Sequence, residues 1–287
     1  MRTPASNPVR VAAIDFLNPA PLMWDFEHPP LAAPLTQRYQ LHYTLPSRCA
    51  DELLSGRADL GLIPIASLTP SLAIVPGCTI ASLHEVRSIQ LIVKSPHTLS
   101  TVRTIAADTA SRSSLAYAEI LFRKFIGTSP TFLQHPADPI AMLRDHDAAL
   151  LIGDPALRAI ESRTDVEQQI GPCTWHDLAR EWRTRTTLPW VAAVWAVRSA
   201  ALPATGLTPQ QLTEDLNHSR THGQANIEAL VREWTPRIAL PPATIHHYLT
   251  QNIHYTLTDD CIRTIQLFRQ YAAEVDALPP LSTLRFL

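Results

Sequence analysis

Glycine is scarce in this chain, with eight in 287 residues. Phosphate and dinucleotide loops need several Cβ-free positions close together, so they are nearly excluded. Gly56 and Gly61 have P-loop spacing, but Leu62-Ile63 follow where Lys-Ser/Thr is required. No Gly-x-Ser-x-Gly elbow occurs either. Cysteine is nearly as rare. The four, at 49, 78, 173 and 261, show no CxxC spacing and read as reduced thiols in or near a core. Lysine occurs twice, at 94 and 124, and the net charge is −2. There is no basic run, which argues against nucleic acid as a partner. The longest apolar stretch, 188–197, is about half of what a membrane span needs, so no membrane association is expected. Residues 1–10 carry no apolar signal segment, and a cytoplasmic location is the expectation.

Metal-ligand patterns are also poor. His218 and His222 are four apart, but Ser219-Arg220-Thr221 between them lack the Glu of a zinc hydrolase helix. A surface or linker pair is the better reading, and His246, His247 and His254 form no better set. No metal and no cofactor are expected. Trp182, Trp190 and Trp195 could stack on an aromatic ligand, but core or hinge packing is the commoner use of such residues. Arg183 and Arg185 beside them read as solvated.

What is abundant is apolar material, at 46% of residues, enough for one large or two ordinary cores. The first half alternates strand and helix signals. Apolar runs predict strands over 9–14, 41–45, 60–63 and 88–94. Ser47 reads as the N-cap of a helix that Gly56 closes. A second unit follows, with strands over 104–107, 131–133 and 148–152. Helices are expected over 111–125, striped by Leu115, Ala118, Phe122 and Phe125, and over 139–144. Another strand is predicted over 190–197, then helices over 226–234 and 259–275, the latter capped by Thr258. The β-α-β rhythm implies parallel pairing with right-handed crossovers. The long strands 88–94 and 190–197 bracket the middle unit and read as crossovers between two lobes. Lobe one would be 1–92 plus 190–287 and lobe two 93–189, with ligand between them.

Four polar segments are expected to meet at that cleft. The 9–14 strand runs into Asp15-Phe16-Leu17-Asn18 and is stopped by Pro19, which leaves Asn18 at the carboxyl end of a first strand. Asp108-Thr109-Ala110-Ser111-Arg112-Ser113-Ser114 joins a strand to a helix. Its hydroxyls exceed what capping by Ser111 or Ser113 requires, and a helix N-terminus favours an anion. Ile152-Gly153-Asp154 ends a buried strand; Gly153 permits close backbone approach, and Asp154 caps the next helix or orients a neighbour. Val86-Arg87-Ser88 opens the long strand 88–94.

In order and spacing these segments resemble one family, the chorismate dehydratases of the futalosine route to menaquinone. The likeness rests on Ile14-Asp15-Phe16-Leu17-Asn18, Leu45-Pro46-Ser47, Leu60-Gly61-Leu62-Ile63-Pro64 and Val86-Arg87-Ser88. It continues through 108–114, Leu150-Leu151-Ile152-Gly153-Asp154 and Leu188-Pro189-Trp190 with Val194-Trp195-Ala196. It spans about residues 9–200 and departs mildly, with Phe16 for Tyr and Ser113 for Thr. Beyond 200 no motif supports it. The resemblance implies a two-lobed α/β fold of the type II periplasmic-binding-protein kind and a carbon-oxygen lyase, a hydro-lyase acting on chorismate. It implies Asn18 and Ser88 as the catalytic pair, and substrate binding by Thr109, Ser111, Arg112, Ser113, Ser114, Gly153 and Asp154. Two other readings stand beside it: the later 1,4-dihydroxy-6-naphthoate synthase of the same pathway, which shares the fold, and a non-enzymatic cytoplasmic small-carboxylate-binding protein. Fold alone does not decide between binding and catalysis.

Overall fold

Two mixed sheets, each flanked by helices, organise the chain in a computed structural model that describes residues 7–287. The expectation of no signal segment over 1–10 therefore falls largely outside the described residues. The first sheet has six strands in the order β11-β4-β10-β3-β1-β2. They are β1 (Val9–Ile14), β2 (Tyr39–Thr44), β3 (Leu60–Pro64), β4 (Ala73–Ser82), β10 (Trp190–Val197) and β11 (His254–Thr256). The second sheet has five in the order β7-β6-β8-β5-β9. These are β5 (Ile89–Lys94), β6 (Thr104–Asp108), β7 (Thr131–His135), β8 (Ala148–Ile152) and β9 (Cys173–Asp177). The architecture is the two-lobed α/β fold of type II periplasmic-binding-protein-like proteins.

Burial explains the strand choices. β3 and β8 are buried at every position, as expected of strands covered on both faces. β2 is an edge strand and alternates toward solvent. β1 pairs in parallel with β2 and β3, while β10 runs antiparallel between β3 and β4.

Several expectations need correction. Neither long strand crosses between the lobes. β5 lies wholly in the second sheet, residues 89–92 included, and β10 wholly in the first. The connections are the short segment 83–88 and the return through helix Leu178–Thr186. Ser47 is not an N-cap: helix Pro46–Leu54 starts two residues earlier than such a cap would allow, with Leu45 in the cap position. Proline at the first helical position supplies the φ that a helix start needs. The helix expected over 111–125 is α-helical only over Ser113–Ile120, then turns π-helical over Leu121–Ile126. Ala116, Tyr117, Ala118, Ile120 and Phe122 enter the core, while Leu115 and Phe125 stay half-buried. β4 and β9 are not anticipated by the sequence reading. All four cysteines are buried and free.

Candidate functional site

The sheet topology gathers the four polar segments at one edge. β1, β6 and β8 present their carboxyl ends there, where open α/β sheets place ligands. β5 runs antiparallel to β8 with Ile89 opposite Ile152, so its first residues join the carboxyl end of β8. The Gly153 N–H donates to Ser88 O at 2.8 Å and fixes that junction.

Between the lobes these ends enclose a small cavity of about 50 Å³. Its first-lobe wall includes Phe16, Asn18, Pro46, Ser88 and Trp190; its second-lobe wall includes Ala110, Arg112, Ser113, Ser114, Ile152 and Gly153. That volume is well below the roughly 300–1,000 Å³ of small-molecule sites, so the lobes must part to admit a ligand. Among the described residues Arg112 is the single charged one of the lining, which holds no carboxylate, imidazole or amine. Asn18 is half-buried, and its buried Oδ1 has no hydrogen-bond partner. Ser88 is buried, and its Oγ accepts from Tyr248 Oη at 2.8 Å.

Two helices start at this cavity, Ser113–Ile120 and Gly153–Glu161, and neither has a side-chain cap. Their first-turn N–H groups lack intrahelical acceptors, with the Gly153 N–H taken by Ser88 O, and both positive dipole ends bear on the same space. An anion is the natural occupant.

The candidate residues divide by position. Asn18, Ser88, Arg112, Ser113, Ser114 and Gly153 come together around the cavity. Thr109 is exposed and outside the lining, with its carbonyl accepting from Ser47 Oγ. Ser111 is buried beside the cavity, its Oγ unpaired. The expected serine caps are absent. Ser113 Oγ instead accepts from Ala66 N at 3.2 Å and donates to Ala192 O at 3.0 Å, tying the second lobe to the first. The Arg112 guanidinium turns away to Asp51 at 2.8 Å. Gly153 has a φ of +61°, and a Cβ there would lie 2.6 Å from Phe16 Cε2. This is the close approach foreseen for it, made by an aromatic ring that spans the lobes.

Asp154 does not cap its helix. It accepts from Leu17 N at 3.0 Å and so holds the loop that carries Asn18. Burial raises its carboxyl to about 6, partly opposed by the Leu17 N–H and Arg158. A raised folded-state value means the protonated form is favoured in the fold. Stability from this group is present below pH 4 and lost as pH climbs toward about 6. Asp154→Asn keeps an acceptor for Leu17 and removes the desolvated charge. It is expected to melt higher than the parent at pH 7.5, with the gain shrinking by pH 4.5. A rise from 3.8 to about 6 is worth up to about 3 kcal/mol. A gain of equal size at both pH values contradicts this.

Asp177 and Tyr248 escaped the sequence reading. Asp177 caps helix Leu178–Thr186 by accepting from Ala179 N and Arg180 N, and also accepts from Val86 N, Arg87 N and Gln90 Nε2. It pins the segment leading to Ser88, where Arg87 takes a left-handed φ of +59°. The tryptophans split between the two readings: Trp182 and Trp195 are core, while buried Trp190 also lines the cavity. His222 pairs with buried Asp25 at 2.9 Å, beside the His218 ring. Among the described residues no group of three His, Cys, Asp or Glu could hold a metal, and no helix is long and apolar enough to cross a membrane.

Comparison with known proteins points the same way. Residues 9–274 match a protein family described as menaquinone biosynthesis. A chorismate dehydratase from Thermus thermophilus is 27% identical over 234 residues, 77% of this chain and 82% of that protein. Among solved structures, a protein from Archaeoglobus fulgidus superposes with a TM-score of 0.71 at 13% identity, covering 94% of this chain and 98% of that one. The alkanesulfonate-binding protein SsuA from Xanthomonas axonopodis, bound to MOPS, superposes at 0.67 with 17% identity, covering 97% and 96%. At such identities the solved structures establish the fold.

Proposed function

The chain belongs to the menaquinone biosynthesis family, and from that premise we propose that it is a chorismate dehydratase, a hydro-lyase. It converts chorismate to 3-[(1-carboxyvinyl)oxy]benzoate and water on the futalosine route. The observation that carries this reading is the interlobe cavity itself. Two helix N-termini without side-chain caps, Asn18 and Ser88 line one space that holds no acidic group among the described residues, a setting for an anion.

The chemistry asks little covalent work of the protein. The C3 proton of chorismate is vinylogous to the ring carboxylate. Its removal pushes an electron pair through the ring into a dienolate. Return of that pair expels the C4 hydroxyl, which leaves as water with the proton, and the ring becomes aromatic. Charge grows on the ring carboxylate in the transition state. Fixed N–H donors at the start of helix Ser113–Ile120, with Ser114 beside them, are placed to stabilise it. With no carboxylate, imidazole or amine among the described residues of the lining, the enolpyruvyl carboxylate of the substrate takes the C3 proton. Asn18 and Ser88 hold that carboxylate or assist the departing hydroxyl, and closure of the lobes supplies orientation. Ser113 contributes by tying the lobes together, and Gly153 and Asp154 by fixing the walls.

Incubation of EDTA-treated protein with chorismate, followed by mass detection, tests the reaction class. The expected product is lighter by one water, at a rate that EDTA leaves unchanged. Saturable binding without turnover would instead make this a small-carboxylate-binding protein. Loss of turnover that added metal restores would overturn the metal-free route.

A further inference from the structure

We propose that Tyr248 is a positioning residue that sets Ser88 as a hydrogen-bond donor to whatever occupies the cavity. The proposal rests on the chorismate reading and adds to it a residue from the C-terminal region, where no motif pointed to function.

The bond spans 160 positions, from Tyr248 Oη to Ser88 Oγ at 2.8 Å, and both residues are 1% exposed. A hydroxyl has one proton and two acceptor sites. The phenol donates here, so it fills one acceptor site of Ser88 and bars the Ser88 proton from that direction. This is the one hydrogen bond of the Ser88 hydroxyl among the described residues. Ser88 lines the cavity, so its proton is left to a ligand there. A hydroxyl that accepts from a phenol is also the stronger donor onward, because chained hydrogen bonds polarise one another. Burial keeps the phenol protonated, so it retains the proton that it donates.

Helix Pro242–His247 continues into a π-helical turn, Tyr248–Asn252, and such turns are often found where a helix is locally reshaped for function. At the other end of that turn Asn252 Nδ2 donates to Glu85 O at 3.2 Å. The turn therefore grips the 85–88 segment at both ends, between the two sheets. Of the two assignments open to Ser88, acceptor or donor, the geometry points to donor. That suits a carboxylate or a departing hydroxyl and excludes Ser88 as a base.

A double-mutant cycle of Tyr248→Phe and Ser88→Ala, read by steady-state kinetics on chorismate and by melting, tests this. Phenylalanine keeps the ring and removes the donor. In the parent background Tyr248→Phe should lower kcat by about tenfold and leave KM within about twofold, the scale of one hydrogen bond. In the Ser88→Ala background the same change should leave kcat unmoved and raise the melting temperature, since it removes a buried hydroxyl with no acceptor. An unchanged kcat for Tyr248→Phe alone, or an equal loss with and without Ser88, overturns the proposal. If the parent itself fails to turn over chorismate, the functional reading falls and this proposal with it. A parent that turns over with an additive cycle rejects the role of Tyr248 alone.

Discussion

Asn18→Ala and Ser88→Ala should each lower kcat on chorismate by about a hundredfold or more, the loss expected when a transition-state hydrogen bond of about 3 kcal/mol disappears. The two variants should part company in stability. Asn18 is half-buried, and its Oδ1 has no protein partner, so its removal strands nothing and the melting temperature should barely move. Ser88 accepts from Tyr248 in a fully buried setting, so Ser88→Ala orphans a phenolic hydroxyl and should destabilise by about 1–3 kcal/mol. A packing control separates stability from chemistry. Phe122 is fully buried in the second lobe and lines no part of the cavity. Phe122→Ala should cost about 3–5 kcal/mol while the folded fraction keeps its kcat. Parent-rate turnover by either Asn18→Ala or Ser88→Ala removes that residue from the site.

The second large effect is expected at Asp177, away from the cavity. Asp177→Ala should destabilise by about 3–5 kcal/mol and also lower kcat. One carboxylate there serves four backbone N–H groups, two at a helix start and two at Val86 and Arg87. Loss of the helix cap costs about 1 kcal/mol, and each stranded amide that water cannot reach costs about as much or more. Asp177 is 8% exposed, so water offers little relief. The kinetic part follows from Arg87, whose left-handed backbone is held by this carboxylate one residue before Ser88. Asp177→Asn, which keeps one acceptor oxygen, should fall between. Denaturant midpoints and kcat for the three proteins check the order. A midpoint for Asp177→Ala within 0.5 kcal/mol of the parent, on the order of a neutral surface change, would contradict it.

Much of the fold was legible because burial on both faces leaves a plain mark. β1, β8 and β10 are short apolar runs bounded by polar or proline residues, and their predicted limits of 9–14, 148–152 and 190–197 match the observed strands. β4 was hidden by Pro76-Gly77 in its middle, where the chain bulges against β10. β9, Cys-Thr-Trp-His-Asp, looks polar because it is an edge strand whose Trp175 and His176 bond to Glu167 and Glu181 and whose Asp177 caps a helix. The crossovers were misjudged for a related reason. Length and hydropathy mark a strand as buried but do not say which sheet buries it.

The meeting of residues at the cavity was legible where local geometry places them, as at Asn18 after β1 and Gly153 after β8. It was illegible where a role depends on a distant partner. Asp154 looks like a cap but serves Leu17, 137 positions away. Ser113 looks like a cap but bridges Ala66 and Ala192. Tyr248 had one faint signal: with Asn252 it places polar groups on the same 3–4 spaced stripe as Ile245 and Leu249, where a burial pattern asks for apolar residues.

Proton NMR of the EDTA-treated protein with chorismate, beside a matched Ser88→Ala sample, tests dehydration at this cavity most directly. The expected result is growth of the ring signals of a 1,3-disubstituted benzoate with the vinyl pair intact in the parent, and almost none with Ser88→Ala. Chorismate that stays unaromatised while binding, or equal aromatisation in both samples, would contradict it.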